Sequence, residues 1–192
     1  MGDMLDELNL QAHDLYEAGE YTHALADYSV LREIRSRREG PYSVKYLAAL
    51  HDCVRCMSHL SLWSDSNLLC SELHAKYVRT HGRGGVDTVD VARHWSWAMV
   101  HLDQPTPAAS LCLTTADAIW ESDPAGADRL VGAAAAQSPE APDIAGAGLI
   151  DGVRLAHSVE IVSALNRWHS VLTDDAARTS VTAETLAPVR AA

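Results

Sequence analysis

Residues 8–31 read LNLQAHDLYEAGEYTHALADYSVL, and the spacing of their small and apolar side chains decides the fold. Leu8, Ala12 and Leu15 step by four and three, and beyond Gly19 the same step resumes through Tyr21, Ala24, Tyr28 and Leu31. Such steps keep side chains on one face of an α-helix. The stretch therefore predicts two amphipathic helices joined by a tight turn. The chain then matches itself at an offset of 42 residues, twice over. Leu5 falls on Leu47 and Val89, Leu8 on Leu50 and Ala92, Leu15 on Met57 and Met99. Ala24 falls on Ser66 and Ala108, Tyr28 on Cys70 and Cys112, Leu31 on Leu73 and Thr115, while Gly40 meets Gly82. A fixed period of this length marks a chain of repeated supersecondary units.

Helices are expected at about 4–18, 23–38, 44–60, 65–80, 88–102 and 107–121. Thr22, Ser64 and Thr106 stand 42 apart, each just before the second helix of its unit. A hydroxyl there can accept from an orphan N–H of the first turn, so the spacing predicts three N-caps. Pro107 suits a first helical position. Arg32, Arg35, Arg37 and Arg38 fall in the last turns of the second helix, where cations complement the macrodipole, and they read as a solvated helix end. The segment RTHGRGG (79–85) is a loop between units; it lacks the Lys-Ser/Thr of a phosphate-binding loop.

The run Leu8-x3-Ala12-x2-Leu15-x3-Gly19-x-Tyr21-x2-Ala24-x3-Tyr28-x2-Leu31 resembles the tetratricopeptide repeat. The usual unit has about 34 residues, and the eight extra residues here correspond to about one added turn on each helix. The longer unit is similar to the repeats of kinesin light chain and of many actinobacterial repeat proteins. The resemblance covers roughly residues 4–120, with the Gly19 slot becoming Ser61 and Asp103. It implies an all-α fold, an antiparallel helix-pair solenoid with capping helices at its C-terminal end. Residues 1–122 would form three helix pairs, 123–172 a degenerate fourth repeat with capping helices, and 173–192 a tail, docked or disordered. The segment ADRLVGAAAAQ is the candidate fourth-unit helix.

Composition bounds the role. Hydrophobic residues make up 47% and charged residues 21% of 192, ordinary values for one globular domain. No run of 18 apolar residues exists, so no membrane span is expected. The net charge of -11 is a poor match to nucleic-acid phosphate. The first twenty residues are acidic, unlike a signal peptide, and four cysteines without an export signal point to reduced thiols and a cytoplasmic chain.

Cys53-x2-Cys56-x13-Cys70-x3-His74 has the spacing of a zinc site. The repeat already accounts for these residues, since Cys70 and Cys112 share one small interior slot, and buried thiols are preferred over a metal. No nucleophile elbow, paired-carboxylate motif or HExxH occurs, so neither enzyme nor cofactor is expected.

The resemblance implies that the first helix of each pair faces a concave groove. At the groove positions stand Asn9, His51 and Arg93; His13, Arg55 and Trp97; Tyr16, Ser58 and Val100; Glu17, His59 and His101. The partner-binding set expected from them is Asn9, His13, Tyr16, His51, Arg55, His59, Arg93, Trp97 and His101. On an acidic chain this set is cationic, and it predicts a protein or peptide partner of acidic character, bound more tightly below neutral pH. The competing reading pairs these residues among themselves, for example Asp90 with Arg93 or His94. The first function expected is a non-enzymatic binding scaffold. The alternatives are a ligand-sensing regulatory domain acting through a partner chain, or a zinc-binding or enzymatic accessory. Met4, Leu5, Leu8 and Leu10 have nothing before them to cover them; either the C-terminal helices fold back or a second copy packs there, and of the two a homodimer is favoured.

Overall fold

A computed structural model describes residues 2–136 of the chain, with side chains from 4 to 134. The expected capping helices and tail beyond residue 136 lie outside the described residues. Seven helices follow one another: α1 Gly2–Glu17, α2 Tyr21–Glu39, α3 Val44–His59, α4 Trp63–His81, α5 Val86–His101, α6 Pro105–Ile119 and α7 Pro124–Ala136. Among the described residues there is no strand, and no helix is long and apolar enough to cross a membrane.

The period of 42 is written into the backbone. Helices α2, α4 and α6 begin at Tyr21, Trp63 and Pro105, and α3 and α5 begin at Val44 and Val86. Within each unit the residue that closes the first helix of the pair takes the left-handed conformation: Gly19 at φ 78°, Ser61 at 58° and Asp103 at 57°. Each ends a helix with the same pair of hydrogen bonds. Gly19 N donates to Tyr16 O and Glu20 N to Leu15 O; the Ser61–Leu62 and Asp103–Gln104 pairs repeat the pattern onto Ser58, Met57, Val100 and Met99. This is the Schellman closure, which satisfies carbonyls that the helix end would orphan.

That closure corrects the expected caps. Thr22, Ser64 and Thr106 are the second residues inside α2, α4 and α6, not caps before them. Glu20 and Gln104 precede α2 and α6 without a side-chain capping bond. The left-handed residue turns the chain so sharply that the next helix starts two residues earlier than a cap at Thr22 would allow. The side-chain caps lie elsewhere: Ser43 Oγ accepts from Tyr46 N at 3.2 Å, and Asp123 Oδ1 from Gly126 N at 2.9 Å. The other turn explains where the period fails. Gly40 and Gly82 sit at φ 90° and 79°, but the third equivalent is Pro124, whose ring forbids that angle. The loop shortens instead, and Pro124 becomes the first residue of α7.

The chain divides into two compact units, Met1–Thr80 and a second that begins at His81. In the first, α2 packs on α1 and α3 around Ala12, Ala24, Tyr28, Leu31, Ala49, Cys53 and Cys56. Leu5, Leu8, Leu15 and Leu69 close its edge. In the second, α6 contributes Cys112, Leu113, Ala116 and Ile119 and α7 contributes Ala127, Leu130, Val131 and Ala134, with Val89 and Trp97 of α5 against them. The expected stripe holds: Leu31 and Leu73 are wholly buried and Thr115 nearly so.

One face of α1 departs from its repeats. Where α3 carries buried Ala49, Cys53 and Cys56, α1 carries Glu7, Gln11 and Asp14. Gln11 spends its amide on Asp27 at 3.0 Å. Of the four apolar residues expected to need cover, Leu5 and Leu8 join the core while Met4 and Leu10 stay exposed.

The left-handed slot yields a stability prediction. Ser61 carries a Cβ that this conformation penalises and that Gly19 avoids. Ser61→Gly is expected to stabilise the chain by about 0.5–1 kcal/mol in urea unfolding, less the added freedom of the unfolded chain. A loss of stability would mean that Ser61 is not left-handed.

Candidate binding face of the first unit

Helices α1 and α3 bring five polar or aromatic side chains together: His13 and Tyr16 from α1, and Asp52, Arg55 and His59 from α3. Tyr21, the first residue of α2, completes the face. Its ring stacks on His59 with centroids 4.0 Å apart and planes 1° from parallel. Tyr16 stands edge-on to both, 5.3 Å from Tyr21 and 5.6 Å from His59, and its hydroxyl shares a 3.1 Å hydrogen bond with His59 Nε2. The left-handed turn at Gly19 makes this possible, because it brings the start of α2 back beside the end of α1.

Arg55 Nη1 lies 3.4 Å from Asp52 Oδ1, one turn back on α3, and both side chains are only partly exposed. Burial pushes the Asp52 carboxyl above its ordinary range, against the opposing pull of Arg55, His51 and His13. Burial likewise raises the Tyr16 phenol, and Arg55 only partly offsets it. Burial lowers the His59 imidazole, so this ring is neutral at pH 7. At neutral pH the face therefore offers one guanidinium, one half-buried carboxylate and a small aromatic cluster.

The other expected groove residues fall elsewhere. His51 is 2% exposed and is a correction: its ring meets Tyr77 edge-on at 5.6 Å, and Nδ1 lies 3.3 Å from the Tyr77 hydroxyl. The position that faces outward at His13 and Arg55 is one helical turn away, and an imidazole at His51 is drawn inward by that hydroxyl. Asn9 is half-buried on α1. Arg93, Trp97 and His101 belong to the second unit. There Trp97 packs against the α6–α7 core and meets His101 edge-on at 4.1 Å, while Arg93 is half-buried. The pairing reading holds where buried His94 lies 3.8 Å from Asp90, and among the expected groove residues where Tyr16 bonds to His59 and Trp97 meets His101.

The chain matches no protein-family model, no curated protein and no solved structure.

The thiols behave as the repeat slots require. Cys53, Cys56, Cys70 and Cys112 are all buried, and none forms a disulfide. Burial pushes Cys53 up to about 11, Cys56 to about 12 and Cys112 to about 11, so each stays protonated. Cys53 and Cys70 instead face Ser29 and Ser66 hydroxyls at 3.9 and 3.7 Å. Cys53, Cys56, Cys70 and His74 do not gather three ligand atoms within 4.8 Å of one another.

Sequence reasoning overlooked Asp52 as part of the site and read Tyr21 only as repeat pattern. The signals were present: Asp52 precedes Arg55 by one turn, and Tyr21 follows the left-handed glycine directly. Asp52 also yields a prediction. A folded-state value above the ordinary 3.8 means that folding favours the protonated form, so Asp52 subtracts stability as pH rises through that window. Asp52→Asn should match the parent in acid and melt higher at pH 7. A variant that melts lower at pH 7 would show that the Arg55 pair outweighs burial.

Proposed function

We propose that this chain is a non-enzymatic interaction module of tetratricopeptide-like helix pairs, stacked as a short solenoid, that holds an acidic peptide or protein segment on the α1–α3 face. The observation that carries the reading is Arg55, partly exposed beside the Tyr16–His59–Tyr21 cluster on a chain of net charge -11. A guanidinium gives charge-assisted bonds to carboxylates, and tyrosines at its side supply rigid contact area. The 42-residue recurrence of helix starts and left-handed turns supports the repeat reading. Four buried thiols outside any disulfide support a cytoplasmic setting. Met4 and Leu10 are where a second copy would pack, and light scattering at twice the mass of one chain would reveal it.

The full chain, immobilised as wild type and as Arg55→Ala, tests the reading by capture from lysate and mass spectrometry. Partners lost with Arg55 and rich in Asp and Glu are expected. An identical partner set from both forms contradicts it. The pH dependence follows from His59, which is neutral at pH 7 and charges below the ordinary histidine value of 6.5. Binding of an acidic peptide should therefore change little between pH 8 and 7 and strengthen on the acid side of 6.5. His59→Gln should flatten that rise in a fluorescence-anisotropy titration. An equal rise in the variant would assign it to other groups.

A further inference from the structure

Arg35, near the end of α2, is only 4% exposed, which corrects its reading as part of a solvated helix end. The slots 42 and 84 residues further on hold Tyr77 and Ile119, each also 4% exposed. This is an interior slot of the repeat, and of the three units only the first places a charge in it. Ile119 needs no polar partner there, and the Tyr77 hydroxyl has Leu47 O and His51 Nδ1 within 3.4 Å.

Arg35 is less well served. A guanidinium has five N–H donors and keeps its proton at any pH a protein meets. Nη1 donates to the Lys45 carbonyl at 3.1 Å, while the buried Nε has no partner. Three carboxylates at this end of the first unit are engaged with other cations, Glu33 with Arg37, Glu72 with Lys76 and Asp6 with Lys45, and Glu39 at the end of α2 is exposed. A cation taken out of water without a counter-charge is strongly unfavourable, and the group cannot escape by neutralising itself.

The bond to Lys45 places Arg35 against the first turn of α3, where Ser43 Oγ already takes Tyr46 N. The N–H groups of a first turn have no intrahelical acceptor, and the positive end of the helix dipole favours an anion. A buried donor lacking an acceptor therefore sits beside the first turn of a helix. We propose that Arg35 and the first turn of α3 form a site for a single oxyanion group, a phosphate or a carboxylate carried by a small molecule. Two oxygens of such a group match the planar fork of the guanidinium and supply the acceptors that it lacks. This site is separate from the Arg55 face and does not rest on it.

Thermal unfolding of the full chain at pH 7 tests the proposal, with sodium chloride replaced at constant ionic strength by millimolar phosphate or acetate. These concentrations lie below those at which phosphate stabilises proteins by general exclusion. Wild type should show a saturable rise of a few degrees in at least one anion, and Arg35→Met should show none. A rise in phosphate alone names phosphate, and a rise in acetate names a carboxylate. A flat wild type in both anions overturns the proposal, as does an equal rise in Arg35→Met, which would mean an ion bound elsewhere. Should Arg35→Met fail to fold, the Arg35 Nε–H resonance of the wild type, assigned by its loss in Arg35→Lys, decides. It should shift and saturate with the stabilising anion, and a resonance that stays fixed overturns the site.

Discussion

Leu31→Ala is expected to lower the unfolding free energy of the chain by about 2–5 kcal/mol, the largest stability effect of any single truncation considered. Leu31 is wholly buried where α2 meets α1 and α3, and its neighbours Ala24, Ala49, Cys53 and Cys56 are too small to collapse into the space it leaves. Leu47, Leu50 and Leu73 are as deeply buried and belong to the same class. Leu15→Ala should cost less, because Leu15 is only half-buried at the rim of that core. Leu10→Ala, at a position 60% exposed, should stay within about 0.5 kcal/mol. Urea unfolding followed by far-UV circular dichroism reads all three, and equal midpoints for Leu31→Ala and Leu10→Ala would refute the packing described.

Arg55→Ala should weaken binding of an acidic peptide roughly 10- to 100-fold, the loss appropriate to a hydrogen bond to a charged group. Arg55→Lys should recover only part of it, since an ammonium cannot engage two carboxylate oxygens as a planar fork does. The helices should remain intact in both, because Arg55 is partly exposed and outside the core. Tyr16→Phe removes the hydroxyl that holds His59 and should give a smaller loss. Rising salt should weaken wild-type binding more than Arg55→Ala binding. Anisotropy titrations that show no difference between Arg55→Ala and wild type would remove Arg55 from the site.

Much of this was legible in the residues. The step of three and four through Leu8, Ala12, Leu15, Ala24, Tyr28 and Leu31 placed the helices to within about two residues, because burial of an apolar stripe dominates helix position. Cap positions were misread because hydroxyl residues at period 42 looked like caps, whereas Ser61 and Asp103 hold a backbone conformation that their residue types do not advertise. Gly19 at the same slot was the signal. Arg35 was misread because charge at a helix end is usually solvated, yet its alignment with Tyr77 and Ile119 already marked an interior slot. The candidate face was half legible. His13, Tyr16, Arg55 and His59 follow from the repeat, but His51 turns inward to the Tyr77 hydroxyl, a contact between residues 26 apart that no local pattern encodes.

We propose, above all, that an acidic segment binds across α1 and α3 of the first unit. It is tested most directly by nuclear magnetic resonance of the isotopically labelled full chain, titrated with a Glu-rich peptide at pH 6.5 and low salt. Shifts concentrated at His13, Tyr16, Tyr21, Asp52, Arg55 and His59, and lost in Arg55→Ala, are predicted. Shifts that leave those six residues unmoved at saturation, or no shifts at all, would contradict it.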